Sequence, residues 1–369
     1  MRFLARVTRT IFIMLGTGCN FRCRYCLQGG DNAAVRGLPG DVNGDIYDFI
    51  EHILDAQDEG LELRFFGGEP LLYWDNLQRI TERFAANGRI GFSCITNGSL
   101  ITPERAAFLD GHEFSVTVSW DGGASAATRG RDVFAEPELR ETLFSLKRLG
   151  LSGVLSARTS PLRLMDDFQA LDNEYRALHN YHLHINMDEL FDTGLPDREL
   201  IDADYGRIRD DMAAMADSYF RNIAVPAPED VFNGELYCRH MIVDGIVNGA
   251  RRFVRETRGG IPPLRHFSGC GNGLETLNMD VAGSLYHCHN HFEPIGDITT
   301  GFHRYLDRLL DHDRTWDHYL AGCRDCAAYP VCRGGCPLVG SEARRASYCA
   351  MKRAVYMPVL ERLIAFGRD

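Results

Sequence analysis

The chain has no apolar run long enough to cross a membrane. Its most apolar stretch, Ile11-Phe12-Ile13-Met14-Leu15, falls far short of the ~20 residues a spanning helix needs and reads as a buried strand. No secretory signal pattern precedes it, so a reducing cytoplasm is the expected compartment. Positive charge is in deficit. Lys and Arg number 40 against 51 Asp and Glu, and the net charge of −11 leaves no global field to recruit nucleic acid or anionic lipid. Histidine is missing from the N-terminal segment, where the first is His52. Composition is otherwise that of an ordinary globular protein, 45% hydrophobic and 25% charged, and 369 residues predict two or three units.

What the chain does have is cysteine. In a reducing compartment twelve cysteines point to metal or redox work rather than disulfides. Ten of them fall into spaced arrays; Cys94 and Cys238 stand outside, and Cys94 reads as a small hydrophobe in a strand. The first array, Gly18-Cys19-Asn-Phe-Arg-Cys23-Arg-Tyr25-Cys26, is a C-x3-C-x2-C pattern. Thiolates are the natural ligands of iron–sulfur clusters, and three of them on a four-iron cube leave one iron open. Zinc is the alternative, but it wants four protein ligands, or three with His or carboxylate and an open position, and no His lies nearby.

From residue 11 to about 225, short apolar runs alternate with longer helical patterns. The expected strands are 11–15, 62–66, 90–96, 114–119, 154–159 and 182–186. The expected helices are 44–59, 74–87, 102–110, 136–149, 166–179 and 199–221. Six strand–helix units predict a parallel sheet, two units short of a closed TIM barrel. In such sheets functional residues gather beyond the carboxyl ends of the strands. Gly67-Gly68-Glu69-Pro70, Thr96-Asn97-Gly98 and Ser119-Trp120-Asp121-Gly122 each follow an expected strand.

The three-cysteine array with Tyr25 before its last member, followed by the Gly-Gly-Glu segment, resembles the radical S-adenosylmethionine (SAM) superfamily. The resemblance implies a partial (β/α)6 TIM-like barrel over 1–225, with Cys19, Cys23 and Cys26 holding the cluster whose open iron binds SAM. It further implies SAM contacts from Tyr25, Gly67, Gly68, Glu69, Pro70, Asn97 and Ser119. Either Arg129 or Arg131 would face the SAM carboxylate, which a planar guanidinium suits; a solvated surface arginine is the alternative for both.

Residues 226–265, punctuated by prolines, read as a bridging segment with a short helix opening at Tyr237. Beyond it come Cys270, then Cys288 on an expected hairpin over 274–288, then Cys323-x2-Cys326-x5-Cys332-x3-Cys336 and Cys349. The middle four alone would suit a zinc knuckle. Seven cysteines in this order, with Arg333-Gly-Gly-Cys336-Pro, resemble the SPASM extension of that superfamily, here over 266–369. The family pattern gives Cys323, Cys326, Cys332 and Cys349 to a distal cluster and Cys270, Cys288 and Cys336 to an inner one. Cys238 is a candidate for the inner cluster's open position. His289 follows Cys288 where sulfatase-maturing relatives place an aspartate base. A neutral imidazole is a competent base, whereas a hairpin-supporting role is the alternative. Asp121 is the next candidate.

The implied enzyme uses SAM and three [4Fe-4S] clusters to oxidise a peptide or protein side chain, such as a ribosomally made precursor. It takes its electron from a donor such as flavodoxin or ferredoxin. Only 18 residues precede Cys19, so the N-terminal peptide-binding domain of many such relatives is not expected. A radical SAM dehydrogenase of a small metabolite is the runner-up. Electron-transfer and zinc-binding proteins are the non-catalytic alternatives.

Overall fold

A computed structural model describes residues 7–26, 28, 41–155, 159–189, 204–223, 234, 236–258, 273, 275–301, 303–309, 311, 323, 325–335 and 342–367. The chain divides into two compact units. The first comprises Met1–Ser119, Asp132–Gly150 and Cys270–Trp316, and the second Trp120–Arg131, Leu151–Gly269 and Asp317–Asp369.

The first unit is built on β1 (Thr10–Met14), β2 (Leu61–Phe66), β3 (Ile90–Thr96), β4 (Ser115–Ser119), β7 (Thr276–Asp280), β8 (Ser284–Cys288) and β9 (His291–Asp297). Its sheet runs in the order β4-β3-β2-β1-β7-β8-β9. Strands β1 to β4 are parallel, as the strand–helix alternation requires, and β7 adds parallel to β1 with Phe12 opposite both Arg64 and Asn278. The run Ile11–Met14 is buried throughout, which explains its continuous apolar sequence. In β2 alternate residues Leu61, Leu63 and Phe65 are buried, whereas Glu62, Arg64 and Phe66 lie on the partly open face. The crossover helices are α1 (Asp45–Asp55), α2 (Trp74–Phe84), α3 (Pro103–Gly111) and α4 (Pro137–Ser145). The start of α3 shows the local chemistry: Thr102 caps it by accepting from Arg105 N–H, with Pro103 at the first helical position.

The expected hairpin forms from β7 and β8, turning at Asp280, whose carboxylate accepts the Ala282 and Ser284 N–H groups and the Tyr286 hydroxyl. The sequence reading missed β9, which pairs antiparallel with β8 through irregular register and contains Pro294.

In the second unit lie β5 (Leu149–Leu155, from Leu151 onward), α5 (Pro161–His179), β6 (His184–Glu189), α6 (Tyr205–Ile223), α7 (Tyr237–Arg258) and α8 (Glu342–Phe366). Two expectations are corrected here. Strand β5 begins at Leu149, inside the stretch expected to be helical, and of the strand expected at 154–159 it holds Val154 and Leu155, while 156–158 lie outside the described residues. The short helix at Tyr237 is in fact 22 residues long. Asp172, wholly buried, ties α5 to the chain entering β6 by accepting the Leu183 N–H (2.8 Å) and pairing with His182 (2.7 Å). No described helix is long and apolar enough to cross a membrane.

Candidate active site

The loop after β1 carries the first three cysteines, and the turn after β2 is built to meet it. Gly67 N and Gly68 N follow β2 with Gly67 at φ 144°, a conformation open to glycine. Gly68 N–H donates to Gly16 O and Glu69 N–H to Gly18 O, both at 2.9 Å. A Cβ on Gly67 would stand 2.3 Å from Gly16 O, and one on Gly68 would stand 2.3 Å from Gly18 O. The two glycines are therefore required by backbone-to-backbone contact with the cysteine loop itself.

Glu69 is wholly buried, and its carboxylate accepts from Leu71 N–H (3.1 Å), Asn97 N–H (2.7 Å) and the Thr96 hydroxyl (2.6 Å). Burial pushes its carboxyl above the usual range, and these three donors pull it back. Glu69 thus fastens the mouths of β2 and β3 together. Pro70 opens the short 3-10 turn Pro70–Tyr73 that follows. Asn97 joins the cysteine loop through its amide, which donates to Asn20 Oδ1 at 2.8 Å, while Asn20 donates to Ser99 Oγ at 2.9 Å.

Cys19, Cys23 and Cys26 share this braced loop, all as free thiols. Residue 19 reaches the surface, yet its sulfur is crowded. Partial loss of water raises its pKa, as do the nearby charges of Glu69 and Cys26, while the Phe21 N–H and the Asn97 amide favour its thiolate. The Phe21 N–H lies 3.3 Å from Cys19 Sγ. Among the described residues no three His, Cys, Asp or Glu groups converge as a single metal ion needs. Three thiolates on one loop are the donor set a cubane would take, each cysteine binding a different iron. Tyr25 is buried within the same loop.

Tyr73 was not singled out in the sequence. Its hydroxyl accepts the Gly18 N–H at 2.8 Å, and its ring leaves no room for a side chain at Gly16, where a Cβ would stand 2.2 Å from Cζ. In Leu-Leu-Tyr-Trp an aromatic reads as core, and only the fold shows it bracing the cysteine loop.

His289 lies after β8 with its ring stacked on Phe12 (4.3 Å, 6°) and edge-on to Phe66 (4.7 Å). Burial among these rings, with the Arg64 guanidinium second, pushes it down to about 4, so its imidazole is neutral near pH 7. Its Nδ1 is buried without a hydrogen-bond partner among the described residues. Arg64 sits 5.2 Å over the Phe12 ring, and its guanidinium donates to both Glu62 oxygens and to Ser93. Cys288 is buried at the end of β8, with the Asn290 N–H 3.4 Å from its sulfur. Cys270 and Cys336 lie outside the described residues. Ser119 ends β4, half-buried.

In the second unit, Asp121 is buried and occupied. Its carboxylate accepts from Thr128 Oγ1 (2.6 Å), Arg129 Nη2 (3.0 Å) and Val154 N–H (2.9 Å). Arg129 is also buried in that ion pair, whereas Arg131 is exposed. These contacts give Asp121 a holding role and leave it poorly placed to accept a substrate proton.

In the same unit Cys323 lies within electrostatic reach of Cys349 and Cys326. Burial, then the charges of Cys349 and Cys326, raises Cys323. Cys332 ends the short helix Tyr329–Cys332 that follows Cys326 directly. Cys238 is wholly buried on α7, its N–H bonded to Gln169 (3.0 Å). Burial and the charge of Asp172 push its thiol far up, an environment that favours the neutral group.

Residues 13–156 match the model of the radical SAM superfamily. The chain is 30% identical over 128 residues to the radical SAM cyclopropyl synthase TigE of Paramaledivibacter caminithermalis. That match covers 31% of this chain and only 27% of the synthase. It is 26% identical over 346 residues to the mycofactocin maturase MftC of Mycolicibacterium smegmatis, covering 86% of this chain and 75% of MftC. Among solved structures it is similar to anSMEcpe with bound AdoMet, with a TM-score of 0.65 at 17% identity, covering 98% of this chain and 96% of that one. The same protein with AdoMet and the Cp18Cys peptide gives a TM-score of 0.62 at 16% identity, covering 96% and 98%. These similarities show the fold.

Proposed function

We propose, from the match of residues 13–156 to the radical SAM superfamily model, that this chain is a radical SAM peptide maturase. It would cleave SAM and oxidise a peptide or protein side chain. The observation that carries the reading is the Cys19–Cys26 loop bonded backbone-to-backbone onto Gly67-Gly68-Glu69 within the matched domain. When bound, a [4Fe-4S] cluster and SAM together supply a 5′-deoxyadenosyl radical able to take a hydrogen atom from carbon.

The chain's own residues do the rest. Cys19, Cys23 and Cys26 would hold the cluster, and the Gly67-Gly68 turn fixes the loop that carries them by backbone hydrogen bonds. Asn97 steadies the loop and donates toward Cys19. Phe12, Phe66 and the neutral His289 exclude water from the face of the sheet beside them, which protects a reactive carbon centre from side reactions. His289, neutral near pH 7, accepts the substrate proton once the hydrogen atom has been removed. Its depressed basicity limits this to a substrate acidified by radical formation.

Cys323, Cys326, Cys332 and Cys349 would hold a distal auxiliary cluster and Cys288 would belong to an inner one. Such clusters would supply one-electron redox chemistry when bound. The peptide substrate class is supported by the maturase name of MftC and by the peptide bound in the anSMEcpe complex. A reducing cytoplasm is the compartment in which such cysteines stay available.

The test is anaerobic incubation of the reconstituted enzyme with SAM, dithionite and candidate precursor peptides, read by tandem mass spectrometry. A peptide lighter by two hydrogens, formed together with deoxyadenosine, is expected. Oxidation of small alcohols with every peptide left untouched would replace this reading by that of a metabolite dehydrogenase.

A further inference from the structure

Resting on the radical SAM reading, we propose that the solvent face of the Cys19–Cys26 loop is the docking surface for a small acidic electron-carrier protein. Arg22 and Leu72 are its anchors. Cleaving SAM needs one electron from outside, and it must enter where a cluster ligand approaches solvent. Cys19 is the exposed member of its array, while Cys23 and Cys26 are half-buried. Beside it, Leu72 is 47% exposed, and its Cδ1 lies 4.0 Å from where a Gly18 Cβ would stand, so this apolar group borders the cysteine loop directly.

Nothing within the described residues explains why Leu72 is left in water. The neighbouring turn residue Tyr73 turns inward to bond Gly18, which fixes Leu72 outward on the same 3-10 turn. Arg22 and Arg24 are exposed on either side of Cys23, and Arg22 has no hydrogen-bond or ion-pair partner among the described residues. On a chain of net charge −11 this is a local reversal of sign.

That reversal selects the partner. An acidic carrier is repelled by the chain as a whole, so productive encounter requires a basic patch at the point of electron entry. Such patches act mainly on association rate and lose force with salt. A central apolar contact with a charged rim is the ordinary anatomy of a brief protein–protein encounter. One electron leaves the carrier, which is oxidised, and enters the cluster held by Cys19, Cys23 and Cys26, which is reduced. No proton or covalent bond moves at this surface.

The experiment uses the fully reconstituted chain and a bacterial flavodoxin, whose affinity is measured by fluorescence titration at low and at high salt. Deoxyadenosine formation is measured in parallel with reduced flavodoxin and with dithionite, and iron content is checked for each variant. Arg22→Glu with Arg24→Glu should weaken flavodoxin binding about tenfold at low salt and remove most of its salt dependence. It should slow flavodoxin-driven cleavage while leaving dithionite-driven cleavage and iron content unchanged. Leu72→Ser should weaken binding at both salt concentrations.

Unchanged flavodoxin affinity in both variants would overturn the proposal. So would an equal fall with both reductants, which would assign the arginines to the cluster loop, and so would concentration-dependent self-association lost in Leu72→Ser, which would make this a contact between copies. No deoxyadenosine from the unaltered enzyme with dithionite would instead overturn the radical reading beneath it.

Discussion

Removing one oxygen atom tests the bracing of the cysteine loop. In Tyr73→Phe the ring still fills the space against Gly16 and Gly18, but the Gly18 N–H loses the acceptor it now has at 2.8 Å. A neutral hydrogen bond contributes about 0.5–1.5 kcal/mol net, rising toward 1–3 kcal/mol when the orphaned group stays dry. This bond is part-buried, so water replaces the phenol incompletely and a loss of about 1–2 kcal/mol is expected. The Asn97–Asn20 and Asn20–Ser99 hydrogen bonds and the two from Gly68 and Glu69 remain, which confines the damage to local opening. One to two kcal/mol is about a five- to thirtyfold change in an equilibrium. The assay is anaerobic release of iron to a chelator from the enzyme carrying only the first cluster, followed as a rate. Tyr73→Phe should release it about five to thirty times faster, with global melting little changed. A release rate within about twofold of the unaltered enzyme would refute the claim that Tyr73 holds this loop closed.

Two further outcomes follow. His289→Ala should still produce deoxyadenosine but lose peptide product by on the order of 10²–10⁴-fold, because proton acceptance alone is impaired. Product and deoxyadenosine falling together, along with iron content, would make the residue a support for the β8–β9 turn. Full anaerobic reconstitution should yield about twelve irons per chain, by cubane stoichiometry for three clusters. About four irons, or zinc in their place, would remove the auxiliary clusters from the account.

Much of this was legible in the sequence because both the strands and the site depend on short-range pattern. The strands β1 to β4 announce themselves through apolar runs bounded by turn residues, and the cysteine spacing marks its own loop. What stayed hidden depended on long-range contact. Strand β5 carries Gly150 and Gly153 and follows a helical pattern without a break, so the sequence puts Leu149 at the end of a helix and starts the strand five residues late, at 154, although burial at Leu149, Leu151, Gly153 and Leu155 has the period of a strand. Helix α7 was shortened because Gly245 and Gly249 lie inside it, although its buried stripe Val243, Ile246, Val247 and Ala250 has helical spacing. Tyr73 and Leu72 look alike in sequence as apolar residues; only the fold turns one inward onto Gly18 and the other into solvent. Asp121 was read by its position after β4, but its three acceptor bonds appear only once Thr128, Arg129 and Val154 are brought around it.

The most direct test of the central claim is deoxyadenosine formation by the enzyme in which Cys19, Cys23 and Cys26 are all replaced by Ala, measured with SAM and dithionite after full reconstitution. The account predicts that reductive SAM cleavage disappears while the iron held by the other cysteine arrays remains, about eight of twelve irons for two remaining cubanes. Cleavage of SAM by that variant at the rate of the unaltered enzyme would contradict it.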